Sequence, residues 1–184
     1  MAVANQPRRW SRDQYDRMVE TGILGPDERV ELIHKEILTM SPQKSGHATG
    51  VQLAGDALRA MFGRGFVVCT QLLLALGGES EPEPDVAVVA GSPRDFRDAH
   101  PATALLIVEV AEASLEFDRG AKRSLYAGAG IREYWIVALQ TRQLEVYREP
   151  SGSDYRERQV LRANDSVAPL ARPQLSLRVA DLLP

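Results

Sequence analysis

The chain is short of cysteine. Cys69 is the one thiol among 184 residues, which excludes an internal disulfide framework and a multi-cysteine zinc site. It closes the apolar run Phe66-Val67-Val68-Cys69 and reads as an inert buried thiol, not a nucleophile. A basic excess is missing too: 22 Lys and Arg stand against 25 Asp and Glu, a net charge of −3. That excludes a protein that coats nucleic acid through bulk positive charge, while leaving room for a local basic patch. No stretch approaches the roughly 20 apolar residues of a membrane span, and polar residues 1–10 contain no apolar signal core. A cytoplasmic protein with no membrane association is expected. Internal repeats and linkers are absent as well, so residues 1–184 are expected to form one domain, long enough to bury a real core.

What is present is a globular balance of 44% hydrophobic and 26% charged residues. Ser11, with Gln14 three residues on, forms a capping box for a helix carrying Tyr15, Met18 and Val19 and closed by Thr21-Gly22. Residues 28–40 read as two extended pieces bent at His34-Lys35 and stopped by Pro42. Over residues 46–62, Val51, Ala54, Leu58 and Met61 recur at three and four, an amphipathic helix that Gly63-Arg64-Gly65 breaks. Residues 66–76 are mostly apolar and are expected in the interior of a sheet. The strand around Ile107, a helix over about 119–127 and a strand over 134–137 make a β–α–β order that predicts a parallel crossover. Strands over 144–147 and 155–161 follow around a Pro150-Ser151-Gly152-Ser153 turn, and residues 175–183 are expected to pack on the body. The fold class is α+β or mixed α/β, a central mixed sheet flanked by helices from both ends of the chain.

The unusual chemistry lies in residues 84–126. Pro84-Asp85 heads the apolar run Val86-Ala87-Val88-Val89, and Glu109 sits inside the almost wholly apolar run 104–111. An acid in a buried strand is costly unless a partner or a metal neutralises it. If the two strands are neighbours, Asp85 and Glu109 converge, and hard divalent cations take such oxygen ligands while keeping several waters. Taken alone, Asp85 is equally a loop-end acid in a Pro-Asp turn, and Glu109 a salt-bridged core acid. Lys122 follows Asp118 by four residues, on one helix face. It is either half of a solvated ion pair or a cation held over a metal-bound phosphate. Glu31 is the acid closest to the apolar part of the first strand, and His47 stands near a helix start, where a cap or loop role is the default.

In order, Val30-Glu31-Leu32-Ile33, Ser41-Pro42 with His47, Pro84-Asp85-Val86, Val108-Glu109-Val110, Asp118, Lys122, Tyr126 and Glu133-Tyr134-Trp135-Ile136-Val137 resemble the Uma-type family of endonucleases. That family belongs to the PD-(D/E)XK, restriction-endonuclease-like superfamily, and the resemblance covers residues 11–148. It implies a restriction-endonuclease-like core and hydrolysis of DNA phosphodiesters dependent on Mg²⁺, with Mn²⁺ as a substitute. The catalytic residues it implies are Asp85, Glu109 and Lys122. The implied metal ligands are Glu31, Asp85, Glu109 and the carbonyl of Val110, with His47 and Tyr126 as accessory groups. In the wider superfamily a lysine follows two residues after the second acid; here Ala111 stands there, and the family's helical lysine maps onto Lys122. His34-Lys35 departs from the family's Asp-Gly turn, Glu112-Ala113-Ser114 from its Ser-Pro-Ser, and Ala138 from its Asp. These departures put substrate preference in question more than metal binding. Arg119 and Arg123, on the helix of Lys122, are expected to form a basic rim for DNA, with Arg8, Arg9 and Arg12 as a second arm. A homodimer is expected, because superfamily relatives dimerise to cut two strands. Two other readings stay open: a non-catalytic dimeric binding or regulatory module on a nuclease fold, and a metal-dependent phosphoesterase of another substrate.

Overall fold

The computed structural model describes residues 7–184, so the start of the polar N-terminal segment, 1–6, lies outside the described residues. Helix α1 (Arg12–Glu20) begins as the sequence predicts: Ser11 Oγ accepts from the Gln14 N–H, and the Gln14 side chain accepts from the Ser11 N–H. Tyr15 is buried from α1, and its hydroxyl donates to the Val30 carbonyl at 3.0 Å. Strands β1 (Val30–Ile33) and β2 (Glu36–Thr39) form a separate antiparallel hairpin. Its turn residues His34 and Lys35 have φ of 48° and 69°, the left-handed pair that Asn-Gly ordinarily supplies. Outside contacts hold this turn: the His34 N–H donates to Ser80 Oγ at 2.9 Å and the Lys35 N–H to the Glu79 carbonyl at 2.8 Å.

Helix α2 (Ser45–Phe62) follows, then β3 (Phe66–Thr70), β4 (Val86–Ala90) and β5 (Leu106–Ala111). The next segment is one helical stretch in three parts: α3 (Leu115–Phe117), a π-helical turn (Asp118–Lys122) and α4 (Arg123–Gly128). Strands β6 (Glu133–Ala138), β7 (Gln143–Ser151) and β8 (Asp154–Arg162) complete a six-stranded sheet in the order β3-β4-β5-β6-β7-β8. Only the β5–β6 pair in it is parallel, as the β–α–β order predicts. A short pair, β9 (Ser166–Val167) with β10 (Leu177–Arg178), and a 3₁₀ turn (Val179–Leu182) end the chain.

Strand alternation divides the core between the two sheet faces. Val86, Val88, Val108, Trp135 and Val146 face Val51, Leu58 and Phe62 of α2, together with Val179 and Leu182. Ala87, Val89, Ile107, Ile136 and Tyr147 pack with Leu125 and Tyr126 of α4 and with Ile33. Helix α2 comes close enough to β5 that a Cβ on Gly50 would lie 2.8 Å from Val110 Cγ1.

Two expectations need correction. The run 66–76 is not an interior strand: β3 is an edge strand that stops at Thr70, because Gln71 takes φ 51° and gives its N–H to the Asp85 carbonyl. Leu74 and Leu76 are buried from the loop beyond it, which accounts for their apolar character. The C-terminal end supplies no α-helix to flank the sheet; residues 175–183 pack on the α2 face through β10 and the 3₁₀ turn. Among the described residues, no helix is long and apolar enough to cross a membrane.

Candidate active site

The β4–β5 register pairs Val86 with Val108, and one step further it sets Asp85 opposite Glu109. At that step side chains replace the ladder. The Val110 N–H donates to Asp85 Oδ2 at 2.8 Å, and the Asp85 N–H to Glu109 Oε2 at 3.3 Å. Glu109 is thereby fixed on the Asp85 backbone and Asp85 on that of Val110, with Glu109 3% exposed.

Glu109 shares the face of Ile107 and Ala111, toward the helical segment. Lys122 Nζ donates to Glu109 Oε1 at 3.0 Å, and Tyr126 Oη donates to the same oxygen at 2.6 Å. The ammonium also lies 3.1 Å from Glu31 Oε2 of β1. Asp118, one turn before Lys122, is buried and accepts from Ser114 Oγ at 2.6 Å. In the π turn the Arg123 N–H bonds back to the Asp118 carbonyl, and such widened turns recur at functional sites. His47, in the first turn of α2, places Nε2 3.1 Å from Asp85 Oδ1.

The structure therefore brings together Glu31, His47, Asp85, Glu109, Lys122 and Tyr126. It does not bring Arg119 and Arg123 to them. Arg119 is spent on Glu145, buried on β7, and on Glu116; Arg123 pairs with Asp154 at 3.3 Å and lies over the Tyr147 ring. Both point toward the β7–β8 hairpin, so neither of these two arginines lines the cleft. The N-terminal arginines are engaged as well: Arg9 reaches Glu36 and the His34 carbonyl, and Arg12 the Gly77 carbonyl. One residue escaped the sequence reading: Gln71 Nε2 lies 3.4 Å from Asp85 Oδ1. No local pattern marks it, since its position depends on the left-handed backbone that ends β3.

The electrostatics follow from three acids, Glu31, Glu109 and Asp118, around one ammonium in a buried site, with Asp85 beside Glu109. Burial raises the Glu109 carboxyl well above its ordinary range; Lys122 opposes that shift, and Asp85 and Asp118 add to it. Burial likewise pushes Asp118 up to about 6, against Ser114 and Lys122. Burial alone would lower the Lys122 ammonium, yet Glu109, Glu31 and Asp118 together hold it above the ordinary lysine range. The hydrogen bond to Asp85 raises His47 against its burial, helped by a backbone hydrogen bond with Val110. A cleft of about 640 Å³ opens on these groups, lined also by Glu83 and Glu112 and by Arg29 and Lys44.

The donor set is hard oxygen, which fits Mg²⁺ or Mn²⁺ and not a thiolate metal. Among the described residues no three His, Cys, Asp or Glu side chains are grouped as metal ligands. Asp85 and Glu109 lie side by side in the site, with Glu31 across Lys122 from Glu109; a cation held through one or two carboxylates keeps its remaining waters.

A family model, Uma2, described as "Putative restriction endonuclease", matches residues 12–180. The chain belongs to the Uma2 family. The match extends past residues 11–148 to the C-terminal 3₁₀ turn. A crystal structure of a "putative nuclease belonging to DUF820" from Anabaena variabilis superposes with a TM-score of 0.73. It covers 96% of this Uma2 chain and 97% of its own at 18% identity, and it shows a shared nuclease-like fold. No curated protein matches.

Proposed function

We propose that the protein is a metal-dependent endonuclease that hydrolyses DNA phosphodiester bonds, acting as a single nuclease domain in a homodimer. The observation that supports this most is the convergence of Lys122, from the helical segment, on Glu109 while Asp85 is locked beside it. Asp85, Glu109 and the Val110 carbonyl would hold a divalent cation. When bound, such an ion neutralises phosphate charge and activates water. The protein's own groups do the rest. Lys122 aims a fixed positive charge at the phosphate and orients the attacking water, without reorganisation at the moment of reaction. Tyr126 holds the Glu109 carboxylate in one rotamer, and His47 does the same for Asp85.

The acid excess of the cleft, with Arg119 and Arg123 turned away from it, favours one alternative: a metal-dependent phosphoesterase of a smaller phosphate ester. Supercoiled plasmid incubated with Mg²⁺ or Mn²⁺ separates the two. Nicking or linearisation that chelator, Asp85→Ala and Glu109→Ala each abolish is expected. Intact plasmid in every lane, with release of phosphate from a small ester, would give the site to the alternative.

A further inference from the structure

Glu31 is the least settled member of the site. It lies on the separate β1–β2 hairpin, not on the six-stranded sheet that carries Asp85 and Glu109. The hairpin is tied to the loop before β4, where Leu32 and Glu81 exchange both backbone hydrogen bonds, at 3.3 and 2.7 Å. Glu31 is 4% exposed. Its Oε2 is engaged twice, by Lys122 Nζ at 3.1 Å and by the Glu83 N–H at 3.2 Å. Glu109 Oε1 takes the same ammonium at 3.0 Å. A lysine ammonium has three donors; two are spent on these carboxylates, which leaves one for a phosphate or its attacking water.

We infer that Glu31 is a positioning residue for Lys122 and not a metal ligand. With Glu109 it holds the ammonium between two carboxylates, and the Glu83 amide fixes its own rotamer. The inference rests on the nuclease reading of the site, but its physical content is the Glu31–Lys122 pairing. Lys122 ends a π turn on a long flexible stem, and a single carboxylate would not fix where its last donor points. A buried counter-ion arriving from a separate element does so, because both ends of the pair are anchored to different backbones.

The test uses the full-length protein and Mn²⁺ alone, followed by electron paramagnetic resonance. Asp85→Asn and Glu109→Gln are expected to weaken Mn²⁺ binding strongly, and Glu31→Gln to leave it near the wild-type value. Equal weakening by Glu31→Gln and Asp85→Asn would make Glu31 a ligand and overturn the inference. A second arm reads the lysine directly by side-chain NMR of ¹⁵N-lysine-labelled protein, with Lys122→Met identifying the resonance. In the wild type the buried Lys122 ammonium should give a protected cross-peak, and Glu31→Gln should shift and broaden it. An unchanged cross-peak would overturn the inference. If the wild type binds no Mn²⁺ at all, the metal-dependent reading fails by itself, and the NMR arm still decides what Glu31 does. In cleavage, Glu31→Gln is expected to lower kcat by about tenfold to a hundredfold with KM little changed, the mark of lost alignment.

Discussion

The central sheet buries glutamates in two regions, and they are balanced very differently. On β6, Glu133 accepts from Arg148 Nε at 2.9 Å, from the Trp135 indole at 3.0 Å and from the Leu170 N–H at 2.7 Å. On β7, Glu145 is met by Arg119, by Arg158 at 3.1 Å and by the Tyr147 hydroxyl at 2.6 Å. Each of these acids has at least one arginine of its own. On β5, Glu109 shares Lys122 with Glu31, and Asp85 and Asp118 add charge close by. The first arrangement is a closed structural pairing. The second carries uncompensated negative charge beside an open cleft, which suits a site that takes up a cation. The buried glutamates of β5, β6 and β7 differ in how completely they are neutralised, not in how deeply they are buried.

The sharpest way to break this comparison is cleavage. Lys122→Met is expected to lower the rate by about 10²–10³-fold, whereas Arg148→Met should leave the specific activity of the folded fraction near wild type in a plasmid assay. Loss of cleavage in both variants would erase the distinction. Stability should sort the regions in the opposite order. Arg148→Met strands Glu133, which is fully buried, and should cost about 3–5 kcal/mol in denaturant unfolding. Glu109→Gln relieves crowded charge and should change stability by less than about 1 kcal/mol, or raise it. A large loss in Glu109→Gln would place β5 with the structural pairs.

A pH series sharpens the same contrast. The folded Asp118 carboxyl is raised to about 6 from an ordinary value of 3.8, so the native state binds the proton more tightly than the unfolded chain. Stability is then fullest below about pH 4 and declines as pH rises through 6. Asp118→Asn should match wild type near pH 4 and exceed it by on the order of 2 kcal/mol above pH 6; a constant offset in thermal melts across that range would refute the charge argument. The smallest effect concerns packing next to the site. Gly50→Ala pushes a methyl against Val110 and should cost about 1–3 kcal/mol, with metal binding impaired more than by an alanine at exposed Gly128.

Part of the site was legible because Glu109 interrupts an apolar run and Asp85 heads another. Asp85 and Glu109 stand out where hydrophobic periodicity demands an aliphatic residue, and the residue order carries the family. Glu133 heads β6 beside Arg132 and Glu145 lies in the mixed run Gln143-Leu144-Glu145-Val146-Tyr147-Arg148, so nothing in their local sequence marks either as buried. Their arginines come from β7, β8 and the helical segment, 13 to 26 positions away. The basic rim failed for a related reason. Arg119, Lys122 and Arg123 are close in the chain, but Lys122 reaches Glu109 on β5 whereas the two arginines reach Glu145 and Asp154 of the β7–β8 hairpin. Gln71 stayed hidden because its place depends on a backbone sign that composition does not encode.

By itself the sequence determined the mixed α/β order, the capping box at Ser11, the parallel β5–β6 crossover and Glu109 as an acid inside an apolar strand. These follow from local periodicity, turn chemistry and the cost of placing a charge in an apolar strand, whereas Glu31 and Lys122 were marked only by the family resemblance. Only the tertiary structure decided which buried acids are neutralised and which remain open, which way each cation on the helical segment points, and that Glu31 reaches Lys122 from a separate hairpin. Charge compensation in a low-dielectric interior is set by distances of about 3 Å between distant parts of the chain, and no one-dimensional pattern specifies those distances.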